Sequence, residues 1–472
     1  METSTGGSRK GRSRDSGKER IMNIAVIGGG PGGYTAAEKA ARLGKRVVLF
    51  EERELGGTCL NRGCIPTKAL LRSAEAYHKA RKSSDLGVSV RGVELDTRAM
   101  HERKSQVVET LRDGVASLML RNGVTVVPER AMIVAPHLIK TSEQEFEAEN
   151  IIVATGSVPA IPPIEGIRLS GVYTSDDLLS NDAPSFSSIV IVGGGVIGLE
   201  FASMYSAFGI EVSIVEAADR ILPTFDKEVS QRMGTALKKR GVEINVRCRV
   251  TSFAGEPGAI QVAFEDKKGN PQCLKADGVL VAVGRTPSTR GLFEEGAEPH
   301  LERGALVVDE LGQTSIPNIY AIGDVRYHGI QLAHVAAAQA ENVVSVILGM
   351  KPEIDEHLVP GCVYTFPEIA QVGMTEIQAK ESGIEVVRAK ALASANGKCL
   401  IEGMDVGMAK VVAEKETGKI LGAQLVCPHA TDMIAELALA IRNNLTVADL
   451  VSAIHPHPTV SEMIRDAAAQ LL

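Results

Sequence analysis

No apolar run in these 472 residues reaches the length of a membrane span, and no apolar core near the N-terminus resembles a signal peptide. The expected setting is therefore cytoplasmic, with no membrane partner. Positive charge is in deficit: 51 lysines and arginines face 58 acids, a net charge of −7, which argues against non-specific nucleic-acid binding and identifies no substrate. Cysteines number 7, and Cys248, Cys273, Cys362, Cys399 and Cys427 are scattered singly, without the paired short spacings of a structural zinc site. No metal is expected. Residues 1–21 hold almost nothing apolar and read as a disordered tail. Glu2, Asp15 and Glu19 do not suit an acid-poor transit peptide, and Met22 reads as an alternative start.

What is there is ordinary globular composition, 44% hydrophobic and 23% charged, with 47 glycines for tight turns. The length calls for about two to four domains.

An internal repeat organises the first part. Strand-like Asn23 to Ile27 runs into Gly28-Gly29-Gly30-Pro31-Gly32-Gly33, then a helix from Tyr34 to Leu43 and a strand from Arg46 to Phe50, ending at Glu51. The pattern recurs as Ile189 to Val192, Gly193-Gly194-Gly195-Val196-Ile197-Gly198, a helix Leu199 to Phe208 and a strand Glu211 to Val215, ending at Glu216. The acid follows the first glycine by the same interval in both copies, from 28 to 51 and from 193 to 216. Each copy reads as a βαβ dinucleotide unit. Gly28 and Gly193 make the tight turn, Gly30 and Gly195 admit a pyrophosphate at the positive helix N-terminus, and Gly33 and Gly198 allow close helix packing. Glu51 and Glu216 would accept hydrogen bonds from a ribose diol.

Directly after the first copy come Cys59 and Cys64, within Gly56-Gly57-Thr58-Cys59-Leu60-Asn61-Arg62-Gly63-Cys64-Ile65-Pro66-Thr67-Lys68. A disulfide needs its Cα atoms roughly 4.4 to 6.8 Å apart, whereas five residues of regular helix rise about 7.5 Å. A bridge here requires a distorted helical turn, for which Gly57 and Gly63 supply the freedom, and Pro66 is tolerated only where helical hydrogen bonding is not yet established. A reducible pair serving thiol redox chemistry is the expectation. The alternatives are two buried free thiols or half of a zinc site. The other five cysteines are expected to be buried small hydrophobes.

Further along, Asp96 can cap a helix reaching about Asn122, with Met100, Val107, Leu111, Val115 and Leu118 on one face and Asn122-Gly123 closing it. The strands Ile151 to Gly156 and Val279 to Arg285 look like crossing points between domains, and Asn318 to Asp324 is a strand with an acid at its exit. Beyond Lys351-Pro352, strands Val411 to Glu414 and Ile420 to Val426 and a helix Met433 to Arg442 describe an α+β unit without a nucleotide motif. It reads as an oligomerisation module.

Taken together, the segment Gly56 to Lys68, the doubled glycine fingerprint, Ala154-Thr155-Gly156, Gly323-Asp324 and the closing His455-Pro456-His457-Pro458-Thr459-Val460-Ser461-Glu462 resemble the flavoprotein disulfide reductases, and within them the dihydrolipoamide dehydrogenase branch. The resemblance runs from Met22 to the C-terminus. It implies an α/β fold of two Rossmann-like dinucleotide-binding domains and a C-terminal α+β dimerisation domain. The expected division is an FAD-binding domain at 22–156, an NAD-binding domain at 157–284, a central domain completing the FAD site at 285–350, and an interface domain at 351–472. FAD would lie on the first glycine set with Thr58, Thr155, Gly156 and Asp324, and NAD on the second with Gly284. Lys68 and Glu200 match the family's pair near the flavin ring, and His334 stands at a helix N-terminus against the flavin. Cys59 is implied to be the interchange thiol, Cys64 the charge-transfer thiolate, His457 the acid/base and Glu462 its orienter, with His457 serving the disulfide of the other subunit of a homodimer. Implied as partner is the lipoyl domain of a 2-oxo acid dehydrogenase or glycine cleavage system.

There are departures. Arg62 stands where many such enzymes carry valine, and could lower a thiol pKa, alter the substrate entrance or point to solvent. Cys427-Pro428-His429 and Asp432 replace a more usual glycine-rich stretch bearing a glutamate. The runner-up is a reductase of another disulfide or of mercuric ion, although the chain ends Gln470-Leu471-Leu472 rather than in a cysteine pair. NADP is disfavoured because Glu216 would repel a 2′-phosphate, with Arg220 as the one counter-argument. A reading from another class is a non-catalytic FAD-binding assembly subunit, against which stand the intact Cys59, Cys64 and His457.

Overall fold

The structure, a computed structural model, describes residues 22–404 and 406–472; the tail at 1–21 lies outside them. Strand Met22–Ile27 turns through glycines into helix α1 (Pro31–Arg42), whose first residue is a proline with φ already set for a helix. Strand Val47–Phe50 returns parallel to it, with Ile24 opposite Val47 and Ile27 opposite Phe50. Ile24, Ala25, Val26, Val48 and Leu49 have no exposed surface, as expected of a parallel sheet covered on both faces. Helices α2 (Gly57–Arg62), α3 (Cys64–Arg81) and α4 (Thr97–Arg121) follow.

Helix α4 starts at its expected cap, where Asp96 accepts the N–H of Ala99 at 2.9 Å, and ends at Asn122. Its expected apolar face packs on core clusters only near the two ends, through Met100 and Leu118. The buried residues of α4 are Lys104 and Met119, while Leu111 is 42% exposed. Lys104 is drawn in because its ammonium donates to the Leu179 carbonyl at 2.6 Å.

The second copy follows a short helix α5 (Ser175–Leu178). Its strands Ser188–Val192 and Glu211–Glu216 flank helix α6 (Val196–Phe208), and α7 (Lys227–Lys239) leads to Glu243–Val246. Together with Gly278–Val281 and Val172–Tyr173 these strands form a five-stranded parallel sheet. An antiparallel three-stranded sheet, Arg249–Ala254, Ile260–Glu265 and Pro271–Ala276, lies beside it. The chain enters and leaves this unit through one antiparallel ribbon, in which Ser157–Pro159 pairs with Arg285–Pro287.

After the ribbon the chain goes back to the first unit. Strand Ile319–Ala321 joins the first sheet beside Glu145–Val153, and α8 (Ala333–Ile347) packs on α1. Leu292, Phe293, Leu306 and Ile319 share a core with Ile27, Val48 and Ile151. The stretch 285–350 thus adds to the first unit's core.

The C-terminal unit is a five-stranded antiparallel sheet in the order Gly361–Val363, Glu368–Gly373, Ile420–Cys427, Met408–Glu414, Val386–Leu392. It carries short helices α9 (Glu376–Glu381) and α10 (Gly397–Ile401), then α11 (Ala430–Arg442), α12 (Val447–Ser452) and α13 (Glu462–Ala469). The three units meet at α3: Leu70, Leu71 and Ala74 belong to one cluster with Leu199 and Phe201 of α6 and with Val363 and Ile369 of the C-terminal sheet. Among the described residues no helix is long and apolar enough to cross a membrane.

Candidate active site

Cys59 and Cys64 are bridged, with Cα atoms 4.7 Å apart. The distorted turn that this requires is a complete break. Helix α2 stops at Arg62, Gly63 takes non-helical angles, and α3 begins again at Cys64. Pro66 sits in the first turn of α3, where its missing N–H costs nothing. Cys64 is the first residue of an 18-residue helix with no acid in its first turn, so the helix dipole favours a thiolate there once the bridge is reduced. The pair is bridged rather than free, and among the described residues no group of three or more His, Cys, Asp or Glu is placed to hold a metal ion. The expectation that every other cysteine is buried fails at Cys273, which is exposed on the edge strand Pro271–Ala276, and holds only partly at Cys362.

The bridge opens onto one continuous cleft of about 1840 Å³ that also reaches both glycine turns. That is nearly twice the upper end of the range usual for one small ligand, about 1,000 Å³. Gly28, Gly30, Glu51, Thr58, Thr155 and Gly156 line it from the first unit, and Gly193, Gly195, Glu216 and Gly284 from the second. Gly33 and Gly198 lie behind these walls: a Cβ at either would collide with the carbonyl oxygen of Gly28 or Gly193, so each lets its helix close on its own turn. At Gly195 a Cβ would meet nothing within 4 Å, and at Gly30 only the Gly57 Cα at 3.9 Å. These two absences keep cleft space open at the N-termini of α1 and α6, neither of which has a side-chain cap or an acid in its first turn. Two uncompensated positive helix ends facing open space fit the pyrophosphates of two dinucleotides. Thr155 adds a buried hydroxyl without a partner among the described residues.

Glu51 and Glu216 make contacts that the sequence does not show. The Glu51 carboxylate accepts the N–H groups of Gly29 at 2.7 Å and Arg53 at 2.8 Å, and Glu216 those of Gly194 at 2.5 Å and Ala218 at 2.6 Å. Each acid pins the glycine turn that it faces. Burial raises the Glu51 pKa against the pull of those two bonds.

Lys68 and Glu200 form a close ion pair, both Glu200 oxygens lying within 2.9 Å of the ammonium. It is no surface pair, since the Glu200 side chain is only 5% exposed. Asp324 lines the same wall, and two residues missed in the sequence hold it. Ser157 donates its hydroxyl to Asp324 at 2.6 Å, while Arg285 donates to the Ser157 oxygen at 2.7 Å and to its carbonyl at 2.7 Å. Burial raises the Asp324 pKa, with the Ser157 bond and the Arg285 charge opposing it. The signal was present in Ala154-Thr155-Gly156 and Gly284, which directly precede Ser157 and Arg285, but the pairing joins residues 128 apart. Taken as a cofactor-holding triad, this group predicts that Ser157→Ala raises the cofactor's Kd about tenfold, the size of one lost bond to a charged group. Release of the bound cofactor on dilution measures it, and unchanged retention would remove this triad from its site.

His334 is the second residue of α8, and its Nε2 donates to the Pro360 carbonyl at 2.9 Å. Arg62 lines the cleft but is paired with Glu54, which balances its charge. Arg220 is held by Asp219 at 3.2 Å and the Pro223 carbonyl at 2.8 Å and does not line the cleft, whereas Arg249 does.

His457 and Glu462 are brought together, but not to the disulfide. His457 Nδ1 lies 2.9 Å from Glu462, whose other oxygen accepts the Thr459 N–H at 2.8 Å. Those contacts, the Thr459 bond first, lower the Glu462 pKa. The His457 side chain is 79% exposed and lines no part of its own chain's cleft. His455 is the structural one, only 5% exposed and tied to Glu436 and the Ala453 carbonyl.

Two dinucleotide turns facing one reducible disulfide define a nucleotide-dependent thiol oxidoreductase. The chain belongs to the pyridine nucleotide-disulphide oxidoreductase family, whose sequence profile matches residues 22–340 and whose dimerisation domain matches residues 359–468. Membership implies FAD and NAD(H) as cofactors. A dihydrolipoyl dehydrogenase of Bacillus subtilis is 40% identical over 464 residues, 94% of this chain and 97% of its own. The mitochondrial dihydrolipoyl dehydrogenase of Pisum sativum is 38% identical over 456 residues, 94% of this chain and 90% of its own. Among solved structures, the HOCl-induced flavoprotein disulfide reductase of Escherichia coli matches with a TM-score of 0.85 at 32% identity, over 95% of this chain and 99% of its own. LpdA of Mycobacterium tuberculosis matches at 0.88 and 26%, over 96% of this chain and 100% of its own.

Proposed function

We propose that the protein is a dihydrolipoamide dehydrogenase, oxidising dihydrolipoyl groups carried on a lipoyl domain and delivering the electrons to NAD⁺. The observation that carries this is the Cys59–Cys64 bridge, set in a broken helix on a cleft that both glycine turns share. FAD on the first turn supplies the relay of an electron pair between the dithiol and the nicotinamide, which neither partner performs well alone. We assign the first turn to FAD because the cysteines follow it directly, and the second, with Glu216 and Gly284, to NAD.

Within this reading His457 takes the proton of one substrate thiol on Nε2, while Glu462 accepts the N–H of Nδ1 and holds the ring. The substrate thiolate attacks Cys59, and the bridge breaks with Cys64 leaving as thiolate. The second substrate thiol then attacks its partner sulfur in the mixed disulfide, releasing lipoamide and a reduced Cys59. Two electrons have moved from substrate to the Cys59–Cys64 pair. Because His457 is exposed and lines no part of its own chain's cleft, we assign it to the disulfide of the other subunit in a homodimer. Leu439, 64% exposed, and Ile454, 97% exposed, lie on the same unit and support an interface there. The domain division used above, with an interface unit from 351, goes with this proposal. A cytoplasmic location suits the five cysteines that remain free thiols.

Turnover of NAD⁺ with dihydrolipoamide, run in parallel with glutathione and mercuric-ion assays, tests the reading, and faster catalysis with either of the latter would overturn it. Coenzyme choice is a separate check. Glu216 is pinned where a 2′-phosphate would bring like charge beside it, so kcat/KM should favour NAD⁺ over NADP⁺ by on the order of 100-fold. Glu216→Ala should narrow the gap, and Arg249 is the cation on hand to receive the extra phosphate. Equal use of both coenzymes by the unmodified protein contradicts the role given to Glu216.

A further inference from the structure

Lys68 comes from the first unit and Glu200 from the second, and the third unit reaches the same point through Tyr364, which follows strand Gly361–Val363. The Lys68 ammonium stands 4.5 Å from the centroid of the Tyr364 ring. The backbone N–H of the same residue donates to Glu200 Oε1 at 3.1 Å. Glu200, almost wholly buried, is thus held by the Lys68 ammonium and the Tyr364 amide together. Lys68 in turn stands four residues after Cys64 on α3, and residues at that spacing share one helix face.

We propose that Tyr364 is a positioning residue of the redox centre: its ring face fixes the Lys68 ammonium beside Cys64 and its amide fixes Glu200, so that the pair is set only when the C-terminal unit is docked on α3. This rests on reading Cys59–Cys64 as the redox couple. An ammonium near Cys64 stabilises the thiolate left by reduction of the bridge, and an ammonium free to swing away stabilises it less. Two local facts favour the ring as the anchor. Burial pushes the Tyr364 phenol up to about 12, so the ring stays neutral at working pH. Burial also pushes the nearby Cys362 thiol up to about 11, so it offers no competing anion for Lys68.

The test uses the full-length, flavin-loaded protein equilibrated under argon in dithiothreitol redox buffers, then alkylated, with the state of Cys59 and Cys64 read by mass. Tyr364→Leu should move the equilibrium toward the disulfide by about 3- to 10-fold, the range of a partly desolvated cation–π contact. Tyr364→Phe, which keeps the ring, should stay within about twofold of the unmodified protein. If Tyr364→Leu does not accumulate, Tyr364→Met carries the same expectation. In a Lys68→Met background the Tyr364 substitution should add nothing, because its partner charge is gone. The inference is overturned by no shift in Tyr364→Leu, by an equal shift in Tyr364→Phe, or by a shift that persists without Lys68. A bridge that fails to exchange with the buffer in the unmodified protein would instead remove the redox reading itself, and this inference with it.

Discussion

Cys59→Ser is expected to lower dihydrolipoamide-linked NAD⁺ reduction by at least about 10⁴-fold, the scale on which enzymes lose rate when a covalent nucleophile or its partner is removed. Serine cannot form the mixed disulfide, and without its bridge Cys64 presents no disulfide for a substrate thiolate to attack. Cys362 lines the same cleft, but its thiol stays protonated at neutral pH. Cys64→Ser should be as damaging to turnover and different in its spectrum. With Cys59 replaced, the remaining Cys64 at the start of α3 keeps the company of the helix dipole and of Lys68, so its thiolate should still perturb flavin absorbance. With Cys64 replaced, that perturbation should vanish. Anaerobic absorbance spectra of the two purified variants decide it. Loss of the spectral effect with Cys59 alone would reverse the two roles.

His457→Gln should cost about 10²- to 10⁴-fold in turnover, the ordinary worth of a positioned acid/base, with FAD retention unchanged because His457 lies outside the nucleotide cleft. The geometry within one chain makes a sharper demand, since the exposed imidazole and the disulfide are not brought together. Mixing inactive Cys59→Ser protein with inactive His457→Gln protein under subunit exchange should restore activity, because one site of each heterodimer then has both an intact bridge and an intact histidine. Heterodimers proven by mass yet inactive would sink the shared site. Near-normal turnover by His457→Gln alone would sink the catalytic role.

The parts of the site legible in sequence were those encoded by close neighbours. The glycine turns announce themselves because three small residues, a strand before and a helix after fall within one short stretch, and Cys59, Gly63 and Cys64 carry their own geometry in their spacing. Asp96 and Asn122 mark the ends of α4 because capping is a local hydrogen-bond problem. Lys104 was invisible as a buried residue because its acceptor, the Leu179 carbonyl, lies 75 positions away. The same holds for Ser157 and Arg285, which act on Asp324 only because the chain crosses itself in a ribbon. Cys273 misled because a small apolar residue in an edge strand can face either way, and its pairing decides which. Tyr364 gave no sign at all, since neither a ring contact across three units nor a backbone N–H leaves a mark in a pattern of residue types.

Synthesis from the N-terminus delivers this molecule out of order. The strand Glu145–Val153 emerges long before its neighbour Ile319–Ala321, and the whole of the second unit is made in between, a wait of about 10 to 30 s at usual elongation rates. Through that interval the first sheet carries an open edge, and Asp324, which Ser157 is to hold, has not yet been made. The second unit has no such debt, because the ribbon of Ser157–Pro159 and Arg285–Pro287 brings its two ends together and lets it fold as an insert. The unit that starts first is therefore the unit that finishes late, and a ribosome stalled between the two strands would leave the second unit complete and the edge of the first sheet still open.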